Sequence, residues 1–295
     1  MTDETRVSSN LKWLEVPDLR DPYLIAGFHG WSNAGSVSSD TLAYLKEFLQ
    51  PRTFAVFSDE AFLNYTLDRP IGHIEDGIIL HLESPAAELT CWTNSESDRD
   101  LILILDKEPH SNWSLYATTI LEVIRRLGVK RLYTIGGVQD SLSHLAPVLV
   151  TVVGSSSYLV DGTLQLEDGI DQADYYGPVS IHSYLIKTCM EAGIEAVSLW
   201  GHVPAYLQRS PKAVAKLITI LNKAVGMRCP IQSLRQQSVD LDRKVNEAIA
   251  RDPNLKQLVE SMQDKKLPAE SPPGRDKIIR LNDFLHRDPK KDPES

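Results

Sequence analysis

Cysteine is scarce in this chain. Cys91, Cys189 and Cys229 are odd in number, far apart and without a Cys-x-x-Cys pair. That excludes a disulfide framework and a local zinc signature, and leaves buried thiols of a reducing compartment. Positive charge is also short. The 31 Lys and Arg stand against 40 Asp and Glu, a formal charge of -9, and no basic stripe with interleaved aromatics occurs. General nucleic-acid or anionic-membrane binding is therefore not expected. Residues 1–10 carry no apolar signal-peptide core, and no apolar run approaches the roughly 20 residues that span a bilayer. These absences point to the cytoplasm.

The easily read catalytic signatures are missing as well. There is no G-x-x-x-x-G-K-[ST], no G-x-G-x-x-G, no G-x-S-x-G and no H-E-x-x-H. Asp59-Glu60 and His81-Leu82-Glu83 have no spacing that demands a metal, so neither metal nor cofactor is expected. What is present is an ordinary soluble composition, 42% hydrophobic and 24% charged, enough for a real core.

The chain is organised around Tyr23–Gly35. The apolar run Tyr23-Leu24-Ile25-Ala26-Gly27 predicts a buried strand. From Asn33 onward Val37, Thr41, Tyr44, Leu45 and Phe48 fall on one helical face. Ser32 or Asn33 is placed to be the N-cap. Such a strand-turn-helix unit puts its turn where α/β proteins bind ligands, at the carboxyl end of a strand. Gly27, Gly30 and Gly35 permit close approaches there. A polar or anionic ligand on the helix N-terminus, beside His29 and Asn33, is one reading; close packing of a small-residue helix face is the other.

Beyond it, Thr53–Phe57, Ile78–Leu82, Leu101–Leu105, Arg131–Ile135, Val148–Val153 and Glu195–Trp200 read as strands, and Cys91–Asp100 as a loop. Trp113, Ala117, Ile120, Leu121 and Ile124 mark a helix ended by Gly128. Gly177-Pro178 is placed to open another, closed by Gly193. Val214, Leu217, Ile218, Leu221 and Val225 mark a third. Strands alternating with helices predict a largely parallel or mixed sheet covered on both sides. After Cys229-Pro230 a narrow seam, Leu234, Ser238, Leu241, Val245, predicts helix-on-helix packing. Asp252-Pro253 breaks that helix, residues 267–274 read as a linker, and Ile278, Leu281 and Leu285 lie on a last amphipathic piece before a disordered end.

Candidate ligand residues cluster at predicted strand ends. His29 can serve as acid, base or anion partner. Glu60 can bind a hydroxyl pair or orient His29, and Arg69 offers a planar fork to phosphate or carboxylate. Gly136 and Gly137 allow close backbone approach, Tyr176 can stack, and His202 can face the same edge. Each has a plain structural alternative: a loop carboxylate, a surface ion pair, a tight turn, a buried Tyr, a capped His.

The Gly27–Gly35 turn, Asp59-Glu60-Ala61-Phe62, Arg69-Pro70, Tyr175-Tyr176-Gly177-Pro178 and Ser198-Leu199-Trp200-Gly201-His202-Val203-Pro204-Ala205-Tyr206 occur in one order. Together, from about Pro22 to Gly226, they resemble the proteasome assembly chaperone 2 family in its bacterial and archaeal branch. The resemblance implies a three-layer α/β/α fold similar to nucleoside phosphorylases, and an oligomer, pointing to a homotrimer. By fold and position it also places Gly30, Asn33 and Gly35 nearest an anion. Proteasome-binding members end in a hydrophobic-Tyr-x tail. This sequence closes on Lys291-Asp292-Pro293-Glu294-Ser295, without that tyrosine, which argues against docking by a tail.

The expectation is an N-terminal arm (1–14), an α/β/α domain (15–229) and a helical C-terminal extension with a disordered tail (230–295). The expected role is a non-catalytic, cytoplasmic, oligomeric assembly-chaperone-like or scaffold protein with a possible protein partner. The alternative is an enzyme or sensor that binds a nucleoside-like or phosphorylated small molecule at the first turn. It requires His29, Asn33, Glu60 and Tyr176 to converge.

Overall fold

The computed structural model describes residues 10–58 and 60–264. The sequence-predicted linker at 267–274 and the amphipathic piece carrying Ile278, Leu281 and Leu285 lie outside them, as does most of the N-terminal arm. The elements in chain order are β1 (Leu11–Trp13), β2 (Tyr23–His29), α1 (Val37–Leu49), β3 (Arg52–Ser58), β4 (Ile71–Glu75), β5 (Ile78–Glu83), β6 (Ala86–Trp92) and β7 (Leu101–Lys107). They continue with α2 (Trp113–Leu127), β8 (Arg131–Asp140), β9 (Val150–Gly154), α3 (Ser157–Leu164), β10 (Ile170–Gln172), α4 (Ile181–Glu191) and β11 (Glu195–Pro204). The last are α5 (Pro211–Val225), α6 (Gln232–Arg251) and α7 (Pro253–Asp264).

Continuous apolar runs make strands buried on both faces, and β2, β7 and β8 are of that kind. Alternate residues of each feed two separate cores. Tyr23, Ile25, Leu101, Leu103, Tyr133 and Ile135 pack with α1 and α5 on one face. Leu24, Ala26, Phe28, Ile102, Ile104 and Leu132 pack with α2 and α4 on the other. Nine strands form the sheet in the order β1-β3-β6-β7-β2-β8-β11-β9-β10. The central four, β7-β2-β8-β11, are parallel. Antiparallel pairings flank them, so the sheet is mixed.

Several local expectations need correction. The helix after the first turn begins at Val37, preceded by a short 3-10 turn, Ala34–Ser36. Asn33 holds the cap position of that 3-10 turn and Ser36 that of α1, neither with a side-chain capping bond to its own helix, and Ser32 caps neither. The Asn33 carboxamide instead accepts from the Ser39 N–H (3.0 Å) and donates to Ser39 Oγ (2.9 Å), which pins the turn to the helix. Cys91 and Trp92 belong to β6 rather than a loop. α4 starts at Ile181, three residues after Pro178.

The largest difference concerns Ile78–Leu82. It is a strand, but among the described residues it pairs only with β4, in a detached two-stranded ribbon whose every residue is exposed. Asp76 and Gly77 turn the ribbon with positive φ (51° and 76°). Asp-Gly is the dipeptide that a tight hairpin turn of this hand favours, a signal legible in the sequence and missed there.

At the other end, α6 lies on α5, and its Leu234 and Val245 enter the same core as α1 and α5. His144 locks it further, its Nε2 3.0 Å from Asn246 Oδ1 and its Nδ1 2.9 Å from the Tyr206 hydroxyl. No helix among the described residues is long and apolar enough to cross a membrane.

Candidate functional site

Two parallel neighbours at the centre of the sheet, β2 and β7, end side by side, with His29 in register with Lys107. Where they stop, the chain opens a cleft of about 420 Å³ lined by His29, Gly30, Trp31, Asp68, Lys107, Glu108, Pro109, His110, Trp113 and Val179. That volume lies in the range of small-molecule sites. The floor is drawn together by one carboxylate. Glu108 Oε2 accepts from the Trp31 N–H (3.3 Å) and Oε1 from the Ile181 N–H at the start of α4 (3.0 Å). The Glu108 N–H in turn donates to the His29 carbonyl (2.9 Å). The negative group on the turn N–H of Trp31 and on the first N–H of α4 is thus the protein's own.

The wall is an ion pair with an imidazole behind it. Lys107 Nζ bonds to Asp68, and His110 Nε2 lies 3.5 Å from the other Asp68 oxygen. His110 Nδ1 accepts from the Asn64 N–H (2.9 Å), so in the neutral ring the proton sits on Nε2, facing the carboxylate. The His29 ring makes no hydrogen bond among the described residues. Partial burial, and then the nearby Lys107 ammonium, hold its pKa below the ordinary imidazole value, against a weaker pull from Asp40. It therefore presents a neutral ring near pH 7, able to accept a proton. Trp31 and Trp113 supply aromatic surface, Trp113 being held through Nε1 to the Pro109 carbonyl (2.6 Å).

Of the residues singled out in the sequence, His29 and Gly30 line this cleft. Asn33, Gly35 and Gly137 sit one layer inward: Asn33 bridges to Gly137, whose N–H donates to the Ser32 carbonyl (2.7 Å). A Cβ on Gly137 would stand 2.3 Å from the Ala34 carbonyl, and one on Gly136 would stand 2.6 Å from the Trp200 ring. Both glycines face packed protein. His202 bonds through Nδ1 to Asp140 (2.7 Å) and through Nε2 to Thr151 Oγ1 (3.2 Å), tying the ends of β8, β11 and β9. Tyr176, read as a stacking ring or a buried Tyr at a helix entry, is 91% exposed on the loop before α4. Glu60 and Arg69 are exposed on the segment leading to the ribbon. His29, Asn33, Glu60 and Tyr176 thus do not share one pocket lining.

Lys107, Glu108 and His110 were not singled out from the sequence. They directly follow the Leu101–Leu105 run, so the polar residues after an apolar strand were the available signal. No group of three or more His, Cys, Asp or Glu among the described residues is placed to hold a metal.

This is a mixed α/β sandwich with its polar cleft at the carboxyl edge of the central parallel strands. The chain belongs to the PAC2 family, whose model matches residues 27–249. A PAC2 family protein from Streptomyces avermitilis is 29% identical, with a TM-score of 0.69 over 77% of this chain and 95% of that one. A proteasome-assembly chaperone homologue from Mycobacterium tuberculosis is also 29% identical, with a TM-score of 0.71 over 80% and 99%. PbaB of Pyrococcus furiosus, an archaeal proteasome activator, shares the fold at 18% identity, with a TM-score of 0.66 over 80% and 97%. No curated protein matches the chain.

Proposed function

We propose that this protein is a non-catalytic, assembly-chaperone-like or scaffold protein of the cytoplasm, acting as an oligomer of copies and on a protein partner. The M. tuberculosis homologue's description as a proteasome-assembly chaperone homologue supports that class of role. The carboxyl edge of the sheet carries the reading. It exposes large apolar and aromatic residues, those of the ribbon that follows Asp68 and Tyr175, Tyr176, Val179 and Tyr184 around the start of α4. Two backbone donors at this edge, the Trp31 and Ile181 N–H groups, are already taken by the Glu108 carboxylate. We further propose that the three-layer body corresponds to the nucleoside-phosphorylase-like fold, over residues 15–229, with a separate extension from residue 230 that begins with α6 and α7.

The test is purification of the tagged chain from native cells, followed by assembly kinetics of whatever protein is recovered. A partner whose complex forms more slowly, or stalls at an intermediate, when the gene is deleted is the expected result. A chain that is a strict monomer and returns no partner would sink the proposal.

The second reading, a small-molecule sensor or enzyme, rests on the cleft with its neutral His29, its Lys107–Asp68 pair and its two tryptophans. Thermal unfolding against phosphate, nucleosides, nucleotides and sugar phosphates tests it. A ligand at 100 times its Kd stabilises by about 2.7 kcal/mol, which raises Tm by about 5 °C or more for a domain of this size. On the leading reading the panel is flat; a hit abolished by His29→Ala but retained by Tyr176→Ala favours the cleft.

A further inference from the structure

The geometry points to the β4–β5 ribbon as the surface through which copies of this chain associate, a deepening of the oligomeric reading above. Ile71, Ile74, Ile78, Ile79, Leu80 and Leu82 stand between 55% and 71% exposed. A lone two-stranded hairpin is marginal in water, and among the described residues neither face of this one is buried. Its base, by contrast, is fixed. The His110 N–H donates to the Phe62 carbonyl (2.9 Å), Asn112 Nδ2 to the Ala61 carbonyl (2.7 Å), and Lys107 holds Asp68. The segment that leads into the ribbon is therefore tied to the rim of the cleft.

The pairing register sorts its side chains. Gly72 faces Leu82 and Ile74 faces Ile79 on one side, with Leu80 inserted at the irregularity between them. Ile71–Glu83, His73–His81 and Glu75–Ile78 occupy the other side. The acids thus stay off the Leu82–Ile74–Ile79 face. That face can meet an identical face without setting like charges together.

A second copy fits better than a transient client for two reasons. Short strands, Glu75, Glu83 and the irregularity at Leu80 blunt the ribbon's edges, yet they leave its aliphatic side chains bare, and neither strand contains a Lys, Arg or Pro. Permanent cover suits such a ribbon, and obligate homomeric interfaces are the more hydrophobic kind. Leu82, Ile74 and Ile79, with Leu80 beside them, also offer on the order of 400 Å² of apolar surface. That is a large share of the ~800 Å² each partner gives to a standard interface.

The experiment is sedimentation or light-scattering mass of the full chain across a wide dilution series, for wild type, Ile74→Glu/Ile79→Glu and Leu82→Lys. Far-UV circular dichroism and Tm report on the fold. The expected result is a multi-copy mass for wild type and loss of association to a single chain in both variants, with the core unfolding unchanged. An Ile79→Cys chain should also form an intermolecular disulfide on mild oxidation, because the three native cysteines are buried.

A wild-type assembly that survives both variants overturns the ribbon as the interface while leaving the oligomer intact. A wild type that is a single chain throughout overturns both. It would hand the ribbon to another occupant, residues 265–295 of this chain or a different protein.

Discussion

His182 is a titratable side chain sealed in an apolar place. It is fully buried between Phe28 (ring centroids 5.2 Å) and Trp200 (4.8 Å), and neither ring nitrogen has a hydrogen-bond partner among the described residues. Burial pushes its pKa down to about 3. An unfolded His titrates near about 6.5. Between these values the unfolded chain binds the extra proton, so stability is full above pH ~6.5 and falls as pH drops toward ~3. His182→Leu should flatten that part of the pH–stability curve by up to one proton, which urea titrations at stepped pH would measure. A slope unchanged from wild type would mean the ring is accessible to protons in the native state. Glu108 is the other decisive residue. Glu108→Ala strips two backbone donors of a charged acceptor, and each such bond is worth about 1.5–3 kcal/mol. Glu108→Gln, which keeps one carbonyl oxygen, should lose less. Equal midpoints for all three proteins in urea would refute the role assigned to this carboxylate.

At the scale of elements, α6 lies along one seam, in which Leu241, Ala248 and Ile249 pack against the core while few of its residues are fully buried. Leu234 and Val245 enter the core, Tyr44 Oη donates to the Pro230 carbonyl (2.8 Å), and Lys212 pairs with Asp242 (3.0 Å). Val245→Asp forfeits about 1.5–3 kcal/mol of burial and sets a charge against apolar α5. Amide exchange should then rise along α6 first, with β2, β7 and β8 still protected, because local opening draws on the elements with the fewest buried contacts. Uniform loss of protection would instead make α6 part of the cooperative core. The central strands and most helices were legible in the sequence, since double-sided burial leaves continuous apolar runs and one-sided helices leave 3-4 spacing. β4 was not, because Ile71-Gly72-His73-Ile74-Glu75 is too short and mixed to stand out. The same apolar composition in Ile78–Leu82 reads alike whether it is buried or bare.

For the whole molecule, all three thiols are buried, and burial pushes Cys189 and Cys229 up to about 12. Thiolate, not thiol, reacts with disulfide reagents. The native protein should therefore be silent to them near neutral pH and react fully on unfolding, so reaction rate reports global opening. Fast labelling of one thiol in native buffer would reveal a local opening around it. Two cores, one on each side of one sheet, share β2, β7 and β8. Damage to the central strands should therefore be felt on both faces, whereas the ribbon can be altered without cost to either.

The sequence by itself determined the α/β class, the central strands, the opening strand-turn-helix unit and the resemblance to a family, because periodicity and local order carry those. The tertiary structure alone decided what stands beside that turn. His29 meets Lys107 because β2 and β7 are neighbours despite their separation along the chain, and Glu108 reaches α4 because their ends converge on one edge. Exposure was decided there too. A strand's apolar residues state how much surface it has to bury, and only the packing of the rest states whether this chain covers it.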